Sequence, residues 1–116
     1  MYDRDNVFAR ILRGELPCDK VSENRFAIAI NDASPRARVH VLVVPRGEYA
    51  DLTDFLGRAG AEEKAGVLDL VREVALGLGL DGNGYRVVAN IGKWGGQAVP
   101  HLHFHILGGE PLANAL

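Results

Sequence analysis

The chain has 116 residues, of which 47% are hydrophobic and 24% are charged, and its formal net charge is −2. This length fits one folded domain, predicted over residues 1–116, and the composition is ordinary for a water-soluble globular protein. The slight negative charge argues against a nucleic-acid polymer as the main partner, because such a partner usually requires a basic surface.

The cysteine content and the lengths of the apolar runs indicate in which cellular compartment the protein is expected. The only cysteine, Cys18, excludes an internal disulfide and favours a reducing compartment. The first residues do not show the basic stretch and apolar run of a signal peptide. The longest apolar runs are far below the roughly 20 residues that span a membrane. We therefore expect a cytoplasmic protein without a membrane partner.

Apolar periodicity and turn residues predict short strands that alternate with helices. Asp5 or Asn6 is suited to cap a first short helix, whose apolar residues lie between Val7 and Leu12, and Gly14 suits its end. The later elements are predicted as strands Val21–Glu23, Phe26–Ile30 and Val39–Val44, helices Asp51–Leu56 and Ala61–Leu78, strand Tyr85–Asn90 and a final strand of histidines. Most strand connections are too short for parallel crossovers, so we predict an α+β fold with an antiparallel sheet.

The long helix and its end contain two patterns. Its buried face is predicted to consist of the residues at helical spacing, which are Val67, Val71, Val74, Ala75 and Leu78. The glycines of the segment Gly77–Gly82 match the dinucleotide-binding pattern G-x-G-x-x-G. That pattern must follow a strand and open a helix, whereas here it closes a helix, so we interpret these glycines as a helix stop and a turn.

Three of the four histidines lie at alternate positions in the segment His101–His105, with apolar residues between them. On a strand, alternate side chains project from one face, so the three rings would share a face and the apolar residues would enter the core. The fourth histidine, His40, lies on the strongest other strand. All four are therefore predicted to converge on one face. A polar row that simply faces solvent is the less specific interpretation.

The residue types narrow the chemistry to the histidines. Ser22 and Ser34 lie on no nucleophile elbow, and a lone cysteine such as Cys18 is more often inert than catalytic. The histidines could hold zinc with an open water position. Alternatively, a neutral imidazole could attack phosphorus while a neighbouring histidine protonates the leaving group. The loop Gly92–Gln97 favours the second mechanism, because backbone N–H groups of glycine-rich loops bind anions, although a tight turn alone also explains its glycines.

The segment His101–Leu107 has the pattern His-φ-His-φ-His-φ-φ, in which φ is apolar, and it resembles the signature of the histidine triad (HIT) superfamily. Further segments occur in the order expected of its Hint branch, the histidine triad nucleotide-binding proteins. They are Asn6–Phe8, Gly14–Pro17, Asn31–Pro35, His40–Pro45, Tyr85–Asn90 and Gly95–Gln97. The chain is therefore identified as similar to Hint proteins over nearly its whole length.

This resemblance implies a five-stranded antiparallel sheet with two main helices, and a homodimer in which the two sheets join. It implies hydrolysis of purine nucleoside phosphoramidates and aminoacyl adenylates to a nucleoside monophosphate, AMP or GMP, with no metal and no cofactor. His103 would be the nucleophile that takes the nucleotidyl group, and His105 would contact the α-phosphate. His101 and His40 would support and orient the site.

The resemblance also implies a nucleotide site with two sides. The base slot and ribose contact are expected at Val7, Phe8, Ile11, Ile30, Asn31, Asp32 and Ala33, with Asp32 on the ribose hydroxyls. The phosphate and ribose side is expected at Asn90, Gly96, Gln97 and Ala98, together with His103 and His105.

Among the positions that depart from the Hint pattern, which include Glu48 and Pro100, two bear on the predicted site. Ala98 stands where a serine is frequent, and a hydroxyl there can bond the phosphate or the leaving nitrogen. Its absence keeps open a nucleotide-binding or scaffolding module with little turnover. Hydrolysis of dinucleoside polyphosphates, as in the Fhit branch, is a further alternative. Asn31 replaces a frequent histidine and is expected to alter the base slot rather than the chemistry.

Overall fold

A five-stranded antiparallel sheet forms the centre of the computed structural model, which describes residues 1–113. The strands are β1 Lys20–Glu23, β2 Ala27–Asn31, β3 Val39–Pro45, β4 Arg86–Val88 and β5 Phe104–Gly108, in the order β1-β2-β3-β5-β4. The helices are α1 Val7–Leu12, α2 Leu52–Arg58 and α3 Ala61–Gly77. The predicted α+β fold is confirmed. The predicted domain runs to residue 116, and its last three residues lie outside the described part.

One face of the sheet carries histidines and packs against α1. Residues directly opposite each other in antiparallel strands project to the same face. Leu42 of β3 lies opposite Ile30 of β2 and opposite His105 of β5, and His40 lies opposite Leu107. The apolar cluster on this face consists of Phe8, Ile28, Ile30, Leu42 and Val44. Helix α1 therefore covers the face from which His40 and His105 project.

The opposite face packs against α3. The helix buries five residues at the spacing i, i+3, i+4, i+7 and i+8, which are Val67, Leu70, Val71, Val74 and Ala75. The prediction of Leu78 in this set is wrong, because α3 ends at Gly77 and Leu78 is 43% exposed. Gly79, with φ of 69°, turns the chain after the helix. Leu80 then enters the core in place of Leu78.

The ends of α1 follow from two residues. The side chain of Asn6 caps the helix by accepting a hydrogen bond from the Ala9 N–H at 2.9 Å. Gly14 adopts φ of 78°, a left-handed conformation that glycine enters without steric strain. This lets the Glu15 N–H reach the Arg10 carbonyl at 2.9 Å and close the helix end. Asn6 rather than Asp5 is thus the cap.

The final strand is shorter than predicted. The ladder between β3 and β5 ends where Val43 opposes Phe104, and β4 ends opposite His105. The next residues cannot extend it, because Pro45 has no N–H and its carbonyl is bonded to Nε2 of His101 at 2.8 Å. The predicted strand through His101 and His103 is therefore wrong. The other elements differ from prediction by at most two residues at either end.

In the described part of the chain, no helix combines the length and apolar character required to cross a membrane.

Gly66 of α3 provides a test of the packing between this helix and the turn after β1. Asn24 Nδ2 donates to the Gly66 carbonyl at 2.8 Å, and a Cβ added at residue 66 would lie 2.1 Å from Cδ2 of Phe26. We expect Gly66→Ala to lower the free energy of unfolding by about 1–3 kcal/mol, because the ring must move. Urea unfolding followed by circular dichroism measures the change.

The matched control is Gly57→Ala in α2, where an added Cβ meets no atom within 4 Å. This substitution should raise the free energy of unfolding by about 0.5–1 kcal/mol, since alanine is the better helix former. If both substitutions changed stability equally, the close contact at Gly66 would be contradicted.

Candidate functional site

All four histidines lie together on the face that α1 covers. The ring centroids of His40 and His105 are 5.2 Å apart, and those of His105 and His103 are 5.0 Å apart. The ring of Phe8 lies 4.7 Å from that of His103 and 6.1 Å from that of His101. His40, His101 and His105 are buried, while His103 is half-buried. The predicted convergence of the histidines is thus present, although His101 and His103 reach it from outside the strand.

The hydrogen bonds of His40 assign its proton and that of His105. The backbone N–H of Arg36 donates to Nδ1 of His40 at 3.1 Å, so in the neutral ring the proton is on Nε2. This Nε2 lies 2.9 Å from Nδ1 of His105 and 3.4 Å from a carboxylate oxygen of Asp32. Nδ1 of His105 is therefore the acceptor. The neutral His105 ring must carry its own proton on Nε2, where it can serve as a hydrogen-bond donor.

The hydrogen bonds of His101 and His103 assign the protons of these two rings, and only His103 has the arrangement opposite to that of His105. Nε2 of His101 lies 2.8 Å from the Pro45 carbonyl, which only accepts, so Nε2 carries the proton. Nδ1 of His103 lies 2.7 Å from the backbone carbonyl of His101, so this nitrogen also carries a proton. Nε2 of the neutral His103 ring therefore keeps its lone pair. The site places a nucleophilic nitrogen on His103 beside a donor N–H on His105.

Burial keeps all four rings neutral at physiological pH. Removal from water is the largest cause of the lowered pKa of His40, of His101 and of His103. For His105 the pKa is lowered to about 4, first by burial and then by the neighbouring His103 and His40. A neutral imidazole retains the lone pair that nucleophilic attack needs. The electrostatics therefore suit attack by His103.

A cavity of about 710 Å³ adjoins the row of histidines. Two of the residues that line it contact histidines. The ring of Phe8 packs against that of His103, and the carboxylate of Asp32 lies beside Nε2 of His40. The cavity is lined by Val7, Phe8, Ile11, Pro17, Cys18, Asp19, Ile30, Asn31, Asp32, Ala33 and Leu42. All seven residues predicted for the base slot and ribose contact are among them. An apolar cavity with a few polar groups at its edge is typical of a small-molecule site.

The glycine-rich loop between β4 and β5 contributes none of the residues that line this cavity. Gly92 and Gly96 have φ of 67° and 81°, as expected for a tight loop. The backbone N–H groups of Gly96 and Gln97 donate to the carbonyls of Lys93 and Gly92 respectively. These two N–H groups therefore close the turn and do not point at an anion.

Two predicted phosphate-side residues brace this loop with their side chains. Asn90 Nδ2 donates to Gly95, and Gln97 Nε2 donates to the carbonyls of Ala50 and Val99. Val99 packs against the apolar cluster around Phe8, which attaches the end of the loop to the histidine face. Ala98, between Gln97 and Val99, is exposed.

Comparison with known proteins identifies the family. A family model described as HIT domain matches residues 13–112. The chain belongs to the HIT family. An uncharacterised 13.2 kDa HIT-like protein of Azospirillum brasilense is 50% identical over 111 residues, covering 96% of this chain and 91% of that protein.

Two solved structures extend the comparison. A HIT family hydrolase from Clostridium thermocellum has 34% identity and a TM-score of 0.88, with 98% of each chain covered. A histidine triad nucleotide-binding protein from Candida albicans has 29% identity and a TM-score of 0.79, covering 97% of this chain and 86% of that one. The chain therefore has the fold shared by HIT family hydrolases and nucleotide-binding proteins.

Several residues of this HIT site escaped the sequence analysis. Leu42 lies on the same face as His40, and strict alternation along β3 could have identified it. Pro17, Cys18 and Asp19 line the cavity from an irregular segment after α1, where no periodic pattern exists to assign a side-chain direction. Tyr2, whose hydroxyl is hydrogen-bonded to Nδ1 of His101, precedes every predicted element.

The described residues contain two other features that resemble sites. Asp32, His40 and His105 bring one ligand atom each within 4.8 Å and could hold a metal ion. Their two ring nitrogens at 2.9 Å equally satisfy each other through a shared hydrogen bond. A larger cleft of about 840 Å³ lies between residues 38–39 and the segments 78–84 and 109–111. None of its lining residues contacts a histidine ring, whereas Phe8 and Asp32 of the smaller cavity contact His103 and His40. The histidine face combines a cavity with groups that can react.

The lowered pKa of His105 predicts how stability depends on pH. In the unfolded chain the pKa is about 6.5, so between pH 6.5 and 4 the unfolded state binds a proton that the native state excludes. Stability is therefore fully present above pH 6.5 and falls on acidification. We expect His105 to account for a loss of about 3 kcal/mol in the free energy of unfolding across this window. Urea unfolding at a series of pH values measures it.

The control is His105→Gln, which retains a polar side chain but no titrating ring. Its free energy of unfolding should fall less steeply between pH 6.5 and 4 than that of the wild type. Parallel curves for the two proteins would contradict a buried, neutral His105.

Proposed function

We propose that this protein hydrolyses purine nucleoside phosphoramidates and aminoacyl adenylates, and releases the nucleoside monophosphate. The observation that carries the proposal is the pair of opposed nitrogens beside an apolar cavity. Nε2 of His103 has a free lone pair, and Nε2 of His105 carries a proton, since their Nδ1 atoms are bonded to an acceptor and to a donor respectively. The HIT-family hydrolase fold supports the same class of reaction.

In the first step, Nε2 of His103 attacks the α-phosphorus, and the bond from phosphorus to the leaving group breaks. An amine leaves with a proton taken from solvent water, whereas the carboxylate of an aminoacyl adenylate leaves without one. His105 donates from Nε2 to a phosphate oxygen as negative charge develops on it. The positive charge on the His103 ring is stabilised by the carbonyl of His101, which accepts from Nδ1. In the second step, water attacks the phosphorus of the nucleotidyl-histidine and releases a proton to solvent. The bond to His103 breaks, and the monophosphate leaves.

The cavity accounts for nucleotide binding in this proposal. A purine base would lie among the apolar side chains, and the ribose hydroxyls would bond to Asp32, one oxygen of which already accepts from the Ser34 N–H at 2.8 Å. The phosphate would lie between His103 and the loop segment that ends at Ala98. Asn90 and Gln97 would then act by holding the loop in shape, and Gly96 by turning it.

The second candidate is a nucleotide-binding module with little turnover, and Ala98 favours it. A serine hydroxyl at this position could bond the leaving nitrogen, whereas alanine offers only its backbone N–H. One hydrogen bond to a charged group contributes about 1.5–3 kcal/mol, which is enough to slow the first step strongly. Hydrolysis of dinucleoside polyphosphates would use the same nucleophile on a different leaving group.

Replacing His103 by alanine tests the mechanism. We expect His103→Ala to lower the turnover of an adenosine phosphoramidate by roughly 10³-fold or more, because the nucleophile is gone. Binding of AMP, measured by calorimetry, should change far less, since the cavity is intact. Thr53→Ala, which removes an exposed hydroxyl from α2, is the control and should leave turnover unchanged.

The same assay, run with a panel of substrates, decides between the candidates. Unchanged turnover in His103→Ala would rule out the proposed nucleophile. Tight AMP binding by a wild type that turns over none of the substrates would favour the binding module. Faster cleavage of a dinucleoside polyphosphate than of any phosphoramidate would favour the third candidate. Adenosine and guanosine substrates in the panel report the base preference.

We also propose that two chains form a homodimer by joining their sheets. Strand β4 is at the sheet edge, so its outer backbone groups have no neighbouring strand among the described residues. Val87 on this strand is 45% exposed and projects to the same face as Ile106, against which α3 packs. Leu68 and Leu76 are also exposed on α3. This apolar edge supports pairing with a second copy.

Sedimentation tests the dimer. We expect Val87→Lys to shift the protein from dimer to monomer, because a charged side chain at a sheet edge opposes pairing with another strand. Leu56→Lys, at an exposed leucine of α2, is the matched control and should remain dimeric. A wild type that sediments as a monomer at micromolar concentration would contradict the proposal.

We infer further that residues 1–116 form one HIT domain that works in the cytoplasm. The exposed free thiol of Cys18 supports a reducing compartment. The net charge of −2 supports a small nucleotide rather than a nucleic-acid polymer as the partner.

A further inference from the structure

The segment before α1 reaches into the site through one side chain. The hydroxyl of Tyr2 is hydrogen-bonded to Nδ1 of His101, and the two rings meet edge to face with centroids 5.6 Å apart. Two contacts hold the segment in place. The Arg13 guanidinium donates to the Arg4 carbonyl at 2.7 Å, and Arg4 pairs with Glu48 at 3.1 Å. Tyr2 takes part in neither step of the proposed reaction.

The direction of the Tyr2 hydrogen bond follows from its other partner. The amide of Asn6 is oriented by two backbone groups, since its oxygen accepts from the Ala9 N–H and its nitrogen donates to the Asp3 carbonyl at 2.7 Å. The same nitrogen donates to the Tyr2 oxygen at 2.9 Å. The single proton of the phenol is therefore directed to His101. Burial raises the pKa of Tyr2 above its usual value, so the phenol keeps this proton.

The His101 ring requires that donor. Its side chain is fully buried, and Nε2 donates to Pro45, so Nδ1 is an acceptor that water does not reach. The backbone carbonyl of the same residue accepts from Nδ1 of His103. The hydrogen bonds thus form a continuous chain from the cap of α1 through Asn6, Tyr2 and His101 to the proposed nucleophile.

We propose that Tyr2 is a positioning residue for the proposed reaction. Its hydroxyl holds the His101 ring from Nδ1 while Pro45 holds it from Nε2, and this places the His101 carbonyl on Nδ1 of His103. Tyr2 thereby keeps the lone pair of His103 on Nε2, directed to the substrate. Because this role rests on the proposed function, its test needs a readout on the free protein as well as a rate.

The first variant is Tyr2→Phe, which removes the hydroxyl and keeps the ring against His101. We expect kcat for an adenosine phosphoramidate to fall about tenfold, while KM changes less than twofold, because Tyr2 does not line the cavity. In nitrogen-15 spectra of the free protein, the Nδ1 resonance of His101 should move towards that of an unbonded ring nitrogen. Tyr49→Phe, which removes a buried hydroxyl bonded to Glu63, is the control and should change neither readout.

The second variant separates positioning from helix capping. Asn6→Asp keeps a side chain that caps helices equally well, but its carboxylate accepts from the Tyr2 hydroxyl instead of donating to it. The phenol proton would then be drawn away from His101. We expect Asn6→Asp to lower kcat and to shift the His101 Nδ1 resonance in the same direction as Tyr2→Phe does. A purely structural role for both residues predicts a lower stability, because Asn6→Asp also loses the bond to the Asp3 carbonyl, and it predicts that the His101 resonance does not move.

The outcomes distinguish this inference from the proposed function. If the His101 resonance and kcat are unchanged in Tyr2→Phe, the positioning role is wrong. If the wild type cleaves no phosphoramidate, the proposed function fails. The His101 resonance then decides by itself whether Tyr2 sets the state of that ring, and an unmoved resonance overturns the inference.

Discussion

The buried imidazole of His101 is the group on which the arrangement of the site depends. Leaving a buried polar group without a partner costs about 1–3 kcal/mol, so the ring must satisfy both nitrogens inside the protein. It bonds to the Pro45 carbonyl through Nε2 and to Tyr2 through Nδ1. The bond to Pro45 occupies a carbonyl that would otherwise continue the β-ladder. The backbone at His101 is therefore irregular, and its own carbonyl accepts from His103 instead of from a strand.

A second chain of hydrogen bonds approaches from β3 and determines the other half of the site. The Arg36 N–H bonds to His40, and His40 bonds to His105. The two series of hydrogen bonds differ in their last group. The first presents the acceptor carbonyl of His101 to His103, whereas the second presents the donor N–H of His40 to His105. Two chemically identical side chains, His103 and His105, consequently present opposite groups to the same space. Burial lowers the pKa of both rings, so that this difference persists at neutral pH.

The two faces of the sheet have different roles, since one forms the hydrophobic core and the other forms the site. The face under α3 is apolar, and its close packing extends to the contact between Gly66 and Phe26. The face under α1 combines a smaller apolar cluster with the histidines and the cavity. Since side chains alternate along β3, Val41 and Val43 project from the face under α3, while His40 and Leu42 project from the face under α1. One strand thus links the core to the site.

The sequence by itself determined the elements and the family. Asp5 or Asn6, together with Gly14, marked the first helix, and the run Val39–Val44 predicted the central strand β3. The segment His101–Leu107, with its flanking motifs, was sufficient for the HIT resemblance, and the family is confirmed. These properties are local, since they depend on spacing and on the conformational preferences of neighbouring residues.

Only the tertiary structure decided what each histidine can do. The sequence showed three similar rings on a predicted strand, whereas the structure ends that strand at Phe104 and gives each ring a different partner. The proton position of His101 depends on Pro45 and Tyr2, which are 56 and 99 residues away along the chain. No spacing rule reaches across such separations. The state of an imidazole is set by the group that folding places on its far nitrogen, and that group is known only when the chain is packed.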